Sequence, residues 1–327
     1  MRRLLTTTTA LHALAATAVA PLLAIAPAEA AETIVIKPGA LPRGPDIAGP
    51  HLDGTTIVDG DVSVKVKRPN VILYGKWHDQ YVAATGTSAW DKVKLVRISA
   101  TGSVTVLREF IYPFTARLDA GNDLIAYSYG DSTQKPTLAV YDLGLDEEVS
   151  IHAFAAVPEL LGFGDGLVVA SFGPPKAKTF TWNTVTNEVV RVNTKQGNYA
   201  SVAHNLLGYF SKDPQFGGCQ VLAHLSDPGD VLWTSCDERI DAVSPDGRRV
   251  ATIPLLTDGL GSRDVVVRKV NGKKLAHYTV GFFFGRVWWE TGTKLLMEAN
   301  GKTLAATVRC QVADCNRATD LHPTPDL

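Results

Sequence analysis

Apolar residues recur along this chain in short runs of period two, broken every few positions by Gly, Asp, Asn or Pro. The clearest stretch opens at Thr115. A short run over 115–118 meets the polar turn Asp119-Ala120-Gly121-Asn122-Asp123. Strong apolar runs follow at 124–129 and 137–142, and 148–153 alternates polar with apolar. Period two with β-branched and aromatic residues is the pattern of half-buried strands. No stretch after the first thirty residues or so has the 3.6-residue period of a long amphipathic helix.

The same four-strand order recurs. Its first strands are expected to begin near Val71, Thr115, Glu159, Ala200, Ile240 and Arg286, 40–46 residues apart. Each leads into a turn: Lys76-Trp77-His78-Asp79, Phe163-Gly164-Asp165-Gly166, His204-Asn205, Ser244-Pro245-Asp246-Gly247 and Glu290-Thr291-Gly292. Four strands per period of about 40–45 residues mark a β-propeller blade. A β-sandwich has turns but no reason to keep the longer period. Upstream, 55–58 and 62–66 form a hairpin across Asp59-Gly60-Asp61, with 34–36 as a further short strand. An unpaired sheet edge invites aggregation, so the ring must close. The expectation is an all-β propeller over 55–322, preceded by an extended segment, 31–54, and followed by a tail, 323–327. Seven blades are expected, the hairpin forming a reduced seventh; six is the alternative.

One unit carries a motif. Ser244-Pro245-Asp246-Gly247-Arg248-Arg249-Val250-Ala251 resembles the blade motif of TolB-type propellers, in which the turn joins the first two strands of a blade. Leu138-Ala139-Val140-Tyr141-Asp142-Leu143 resembles the third strand of WD-type blades. The architectural resemblance spans roughly 50–322, the motif is clean only once, and what it implies is the fold.

The N-terminus has a different character. Met1-Arg2-Arg3 is basic, 10–26 is almost wholly apolar, and Ala28-Glu29-Ala30 places small residues at −3 and −1 of a cleavage site. This reads as a secretory signal peptide, 1–30, routed by the general pathway or, given Arg2-Arg3, by twin-arginine export. The apolar run is short for a membrane span, and no later segment is apolar enough to cross a bilayer. Cleavage takes the net charge from −1 to −2 by removing Arg2, Arg3 and Glu29. A near-neutral chain without a Lys/Arg run has no general attraction for nucleic acid or anionic membrane.

All four cysteines lie after the signal. An even count in an exported chain favours disulfides, whereas a zinc site would want C-x-x-C spacing with His nearby. A hairpin centred between Asp227 and Pro228 sets Cys219 opposite Cys236. One centred on Val312-Ala313 sets Cys310 opposite Cys315. Directly opposed strand residues come within disulfide reach, so both pairs are expected to bridge the third and fourth strands of a blade.

Propeller ligands usually meet the face that carries the loops between second and third strands and the connections between blades. Those segments offer Trp90, Tyr112, Phe216, Phe282 and Phe283 as aromatic candidates and Lys195 and Arg239 as charged ones. Each has a plainer reading: Phe282 and Phe283 as filling between blades, Trp90 as a cover for its own loop, Arg239 as the partner of a local carboxylate. Chemistry-bearing motifs are missing: no H-E-x-x-H, no G-x-S-x-G, no phosphate-binding Gly loop. His51, His78, His152, His204, His224, His277 and His322 scatter over both faces and the rim in this alignment. No catalytic residue, metal or cofactor is assigned. The functional reading is a secreted, monomeric, non-enzymatic propeller that binds or scaffolds an extracellular protein or glycan. The alternatives are an extracellular glycan hydrolase or lyase, with Asp119, Asp241 or Glu290 pointing inward, and a cell-envelope assembly partner resembling TolB.

Overall fold

Strands dominate because the apolar runs have nowhere to hide except between sheets. In a computed structural model, the residues described are 32–119, 121, 123–130, 135–259 and 261–325. The expected signal peptide, 1–30, and the last two residues of the expected tail lie outside them.

Among the described residues there are six sheets, each built on a meander of strands adjacent in sequence. Sheet 1 has three strands, His51–Asp53, Thr56–Asp59 and Val62–Lys65. Sheets 2 to 5 have four strands each and run over 70–109, 117–153, 159–193 and 197–235. Sheet 6 has nine strands and begins at Glu238–Val243. Its centre is one long strand, Lys274–Trp289. Residues 274–279 of that strand pair with 264–268, whereas 283–284 and 287–289 pair with Leu295–Asn300. The connection expected at 279–285 is therefore not a loop: the fourth strand of one meander runs straight into the first strand of the next. The segment Thr279-Val280-Gly281-Phe282-Phe283-Phe284 has no charged residue or Pro to break it, and Phe284 is buried.

The middle strands of each meander are sandwiched on both faces. Thr137–Asp142 is buried over its first five residues, and Gln80–Gly86 over its last six. Outer strands face water and alternate, as in Glu147–Ala153, or are largely exposed, as in Val104–Glu109. Apolar cores lie between sheets, in chain order. Ile57 and Val64 of sheet 1 pack with Tyr81 and Val96 of sheet 2. Leu95 of sheet 2 joins Tyr127 and Tyr141 of sheet 3, and Leu138 of sheet 3 joins Trp182 of sheet 4. Leu161 of sheet 4 meets Leu207 of sheet 5, and Leu222 of sheet 5 meets Val250 of sheet 6. The two halves of sheet 6 share a core around Val265, Tyr278, Met297 and Val308.

The far end is tied back to the beginning mainly by polar groups. Arg309 donates from Nε and Nη2 to Glu290, at 2.6 and 2.7 Å, with both side chains nearly sealed from water. Arg309 also donates to the carbonyls of Pro45 and Asp46, and Glu290 accepts from the Ala48 N–H. Ile47 packs with Leu296 and Ala318 in the small core between them. Further out, Thr33–Ile36 adds as a parallel strand along 277–280, and Arg43 bridges to Arg317. At the other terminus His322–Pro323 pairs with Leu304 and Ala305.

Both disulfides form as the hairpin centring implies. Cys219 and Cys236 have Cα atoms 4.1 Å apart, and Cys310 and Cys315 are 4.2 Å apart and directly paired. No free cysteine remains, which suits an oxidising compartment. Among the described residues no helix is long and apolar enough to cross a membrane.

Two stability outcomes follow. Arg309→Met leaves a buried carboxylate without its partner and is expected to cost about 3–5 kcal/mol in urea unfolding, whereas the double change Arg309→Met with Glu290→Leu recovers most of that loss. Replacing Cys219 and Cys236 together by Ser is expected to cost roughly 2–3 kcal/mol, and less than that if the reduced chain keeps residual structure.

Candidate functional site

Among the described residues the innermost strand carries an irregularity in sheets 2, 4 and 5 and in both halves of sheet 6. The register slips between Leu73 and Gly75, Leu160 and Gly162, Gly197 and Tyr199, Ile240 and Ala242, and Phe284 and Val287. A bulge re-aims side chains and bends the strand. Tyr74, Asn198 and Asp241 sit in those slips, with Arg286 in the last.

Polar side chains of these inner strands converge. Arg117 of sheet 3 is electrostatically coupled to Tyr74 of sheet 2, Glu159 of sheet 4 and Tyr199 of sheet 5. Glu159 is coupled in turn to Arg239 of sheet 6, and Arg239 to Asp241. Sheets 2 and 5 are not neighbours, so a residue that senses both must lie near a common axis. Arg117, Glu159, Asp241 and Arg286 all touch solvent. Even so, the surrounding protein weakens their hydration. It lowers Arg117 and Arg286, and it raises Glu159 and Asp241. For Glu159 the charges of Arg117 and Arg239 oppose the rise; for Asp241 Arg239 does so. Burial pushes the Tyr199 phenol up to about 12, and Tyr74 donates to the Pro113 carbonyl at 2.6 Å. Arg117 donates to the carbonyl of Ala116 at 2.8 Å, and Arg239 to that of Thr257 at 3.3 Å. Among the described residues no hydrogen-bond donor reaches the carboxylates of Glu159 and Asp241, which leaves them able to accept one from a ligand.

The residues expected from sequence fall into separate groups. Arg239 reaches the axis. Trp90 is half-buried and leans on the exposed Phe114, ring centroids 5.4 Å apart. Phe282 and Phe283 pack edge to face at 4.9 Å. Tyr112 serves the backbone, its carbonyl accepting from the Thr115 N–H and hydroxyl. Phe216 is 75% exposed at the end of a short 3-10 turn, and Lys195 is exposed on the connection into sheet 5. No ring contact or hydrogen bond joins Lys195 or Phe216 to any other member of the set. Of the three inward carboxylates considered, only Asp241 reaches the axis. Asp119 accepts from the Leu124 N–H at the turn, and Glu290 is held by Arg309. Tyr74, Arg117, Glu159, Tyr199 and Arg286 were missed. Their signal was a polar residue inside an otherwise apolar first strand.

The opposite face is structural. Ser244 donates to Asp246, whose carboxylate also accepts from the Arg248 N–H. Burial alone would raise Asp246, but these bonds and the charges of Arg249 and Arg248 bring it below its usual value. Gly247 has φ +67°, and a Cβ there would strike His204, which itself contacts the Pro245 carbonyl. Arg249 donates to the Gly292 carbonyl of the next turn. The turns at 204–205, 244–247 and 290–292 are stitched together in this way. The histidines serve turns and rims, His152 at Asn187, His224 at Asp230 and His277 at Asp264. Among the described residues no His/Cys/Asp/Glu group could hold a metal ion.

Similar folds exist among solved structures. A chain of the mitotic checkpoint complex has a TM-score of 0.56 at 11% identity, covering 80% of this chain and 86% of that one. The β-propeller domain of the Trilobed protease from Pyrococcus furiosus gives 0.50 at 10% identity, covering 83% and 82%. Oligogalacturonate lyase in complex with manganese gives 0.52 at 13% identity, covering 85% and 86%. TolB structures also match. No family model and no curated protein matches the chain. The protein has the β-propeller fold.

The axial carboxyls make a testable demand on stability. A carboxyl whose folded pKa is raised favours the fold when neutral, and that contribution is lost as pH rises through the folded value. Asp241→Asn is therefore expected to raise the melting temperature at pH 7. The gain should vanish near pH 3, below the ordinary carboxylate range of about 4. Thermal unfolding at both pH values checks this.

Proposed function

We propose that the mature chain is a secreted, seven-bladed β-propeller that binds an acidic extracellular glycan at the mouth of its axial channel. The count of seven takes sheets 2 to 5, the two halves of sheet 6 and the three-stranded sheet 1 as blades. Export rests on the signal-like N-terminus and suits the two disulfides. One observation supports the binding role: across sheets 2 to 6, Tyr74, Arg117, Glu159, Tyr199 and Arg239 lie near enough to influence one another electrostatically. Guanidinium groups recognise carboxylates through paired hydrogen bonds, and carboxylates and phenols accept and donate to sugar hydroxyls. Arg117 and Arg239 stand beside Glu159 and Asp241, while Arg286 is engaged with Glu298; the two guanidinium groups make an anionic sugar the ligand to test against a neutral one.

Calorimetric titration tests this with an oligogalacturonate and a neutral oligosaccharide of equal length. The acidic sugar should bind, more weakly at high salt. Arg117→Gln and Arg239→Gln should each weaken it about tenfold, on the order of 1.4 kcal/mol, and Trp90→Ala should leave it unchanged. Binding of neither sugar contradicts the reading. A second reading is a glycan hydrolase or lyase, favoured by burial holding the Glu159 and Asp241 carboxyls toward the protonated state that a general acid needs. Shortened or unsaturated sugar accumulating in the same cell, and lost in Glu159→Gln, would decide for it.

A further inference from the structure

Sheet 1 stops one strand short of its neighbours. Its outermost strand, Val62–Lys65, pairs only with Thr56–Asp59. The Val66 N–H donates to the Thr55 carbonyl at 3.0 Å. Positions 62, 64 and 66 thus turn their backbone groups into the sheet. In an antiparallel ladder the positions between them turn outward, so Ser63, Lys65 and Lys67 present unpaired N–H and C=O groups. Beside that edge lies a groove of 290 Å³, lined by 63–67 on one side and by Ile98, Thr101, Gly102 and Val104 on the other. It lies where a fourth strand of sheet 1 would run.

The walls specify what fits. On the far side Val104 and Val106 are 54% and 46% exposed, an apolar stripe on the outer strand of sheet 2. On the near side Lys65, Lys67 and Arg68 are exposed, and no carboxylate among the described residues pairs with them. The nearby Asp59 is already taken by Lys76 at 2.6 Å and by Tyr81. Successive residues of a strand face opposite sides. An incoming strand would therefore set one series of side chains against the valines and the other beside the cations.

We propose that this edge takes up an extended segment of another protein, alternating apolar and acidic residues, as the fourth strand of sheet 1. Backbone hydrogen bonds from Ser63, Lys65 and Lys67 would supply affinity, and the lysines and valines would supply selectivity. Lysines on an edge also repel a second copy of the same edge. Here they coincide with an open groove and an apolar wall, which a guarding role does not require.

Fluorescence anisotropy with the mature chain tests this, using labelled eight-residue peptides of alternating Val and Glu or of alternating Val and Lys. The acidic peptide should bind at least about tenfold more tightly, a difference of roughly 1.4 kcal/mol. Lys65→Glu with Lys67→Glu should invert the preference. Ser63→Pro removes one outward N–H without touching the ladder, as an edge position tolerates, and should weaken the acidic peptide while circular dichroism shows an intact fold. Equal binding of both peptides, or of neither, overturns the proposal and leaves the lysines as guards. A dimer in light scattering that Lys65→Glu abolishes also overturns it, in favour of a second copy.

Discussion

Ring closure is the constraint on which the rest of this molecule depends. Every joint but one is made by sheets adjacent in sequence, through apolar surface that needs only to be present and roughly complementary. The remaining joint must bring residues near 45 against residues near 300. Two buried charges, Arg309 and Glu290, fix its alignment beside the apolar contacts of Ile47 with Leu296 and Ala318 and of Ile36 with the core of sheet 6. Burying an ion pair is costly unless its hydrogen-bonding capacity is filled, and here it is filled by Glu290, Pro45, Asp46, Asn316 and the Ala48 N–H. An apolar contact would tolerate a slipped strap. This set of donors and acceptors accepts one alignment of 45–48 on the last meander. The parallel strand Thr33–Ile36 and the Arg43–Arg317 bridge extend the same seam outward.

Closure brings the inner strands face to face, and the axial cluster exists only as a consequence. Arg117, Glu159 and Arg239 come from positions roughly 40 and 80 residues apart and share no sheet. The surrounding protein lowers Arg117 and raises Glu159 and Asp241, and among the described residues neither carboxylate receives a hydrogen bond in return. Groups that oppose stability in this way mark places kept for another purpose. On the turn face, by contrast, Asp246 is satisfied by Ser244 and Arg248 and serves the fold alone.

The repeat was legible because middle strands are buried on both faces. Runs such as 124–129 and 137–142 appear in the fold with the bounds expected of them. The disulfides were legible because a hairpin's centre fixes which residues oppose each other. Other features were not. The strand Lys274–Trp289 crosses a boundary where a connection was expected, since a run of aromatics reads equally well as filling between blades or as strand. The axial set was largely hidden because a charge in a first strand looks the same whether it ends a turn, as Asp119 does, or faces the axis, as Glu159 does. Which of the two it does is decided by sheets that meet only when the ring closes. Arg239 and Asp241 stood out in the sequence as candidates; Tyr74, Arg117 and Tyr199 needed the fold.

Carbon-13 NMR titration of the side-chain carboxyls of Glu159 and Asp241, in the native chain and in Arg239→Gln, tests this convergence most directly. The account predicts that both carboxyls titrate above their ordinary values and that both rise further once Arg239 loses its charge. Ordinary values for both, indifferent to Arg239, would mean that the inner strands do not share an enclosed axis and would contradict it.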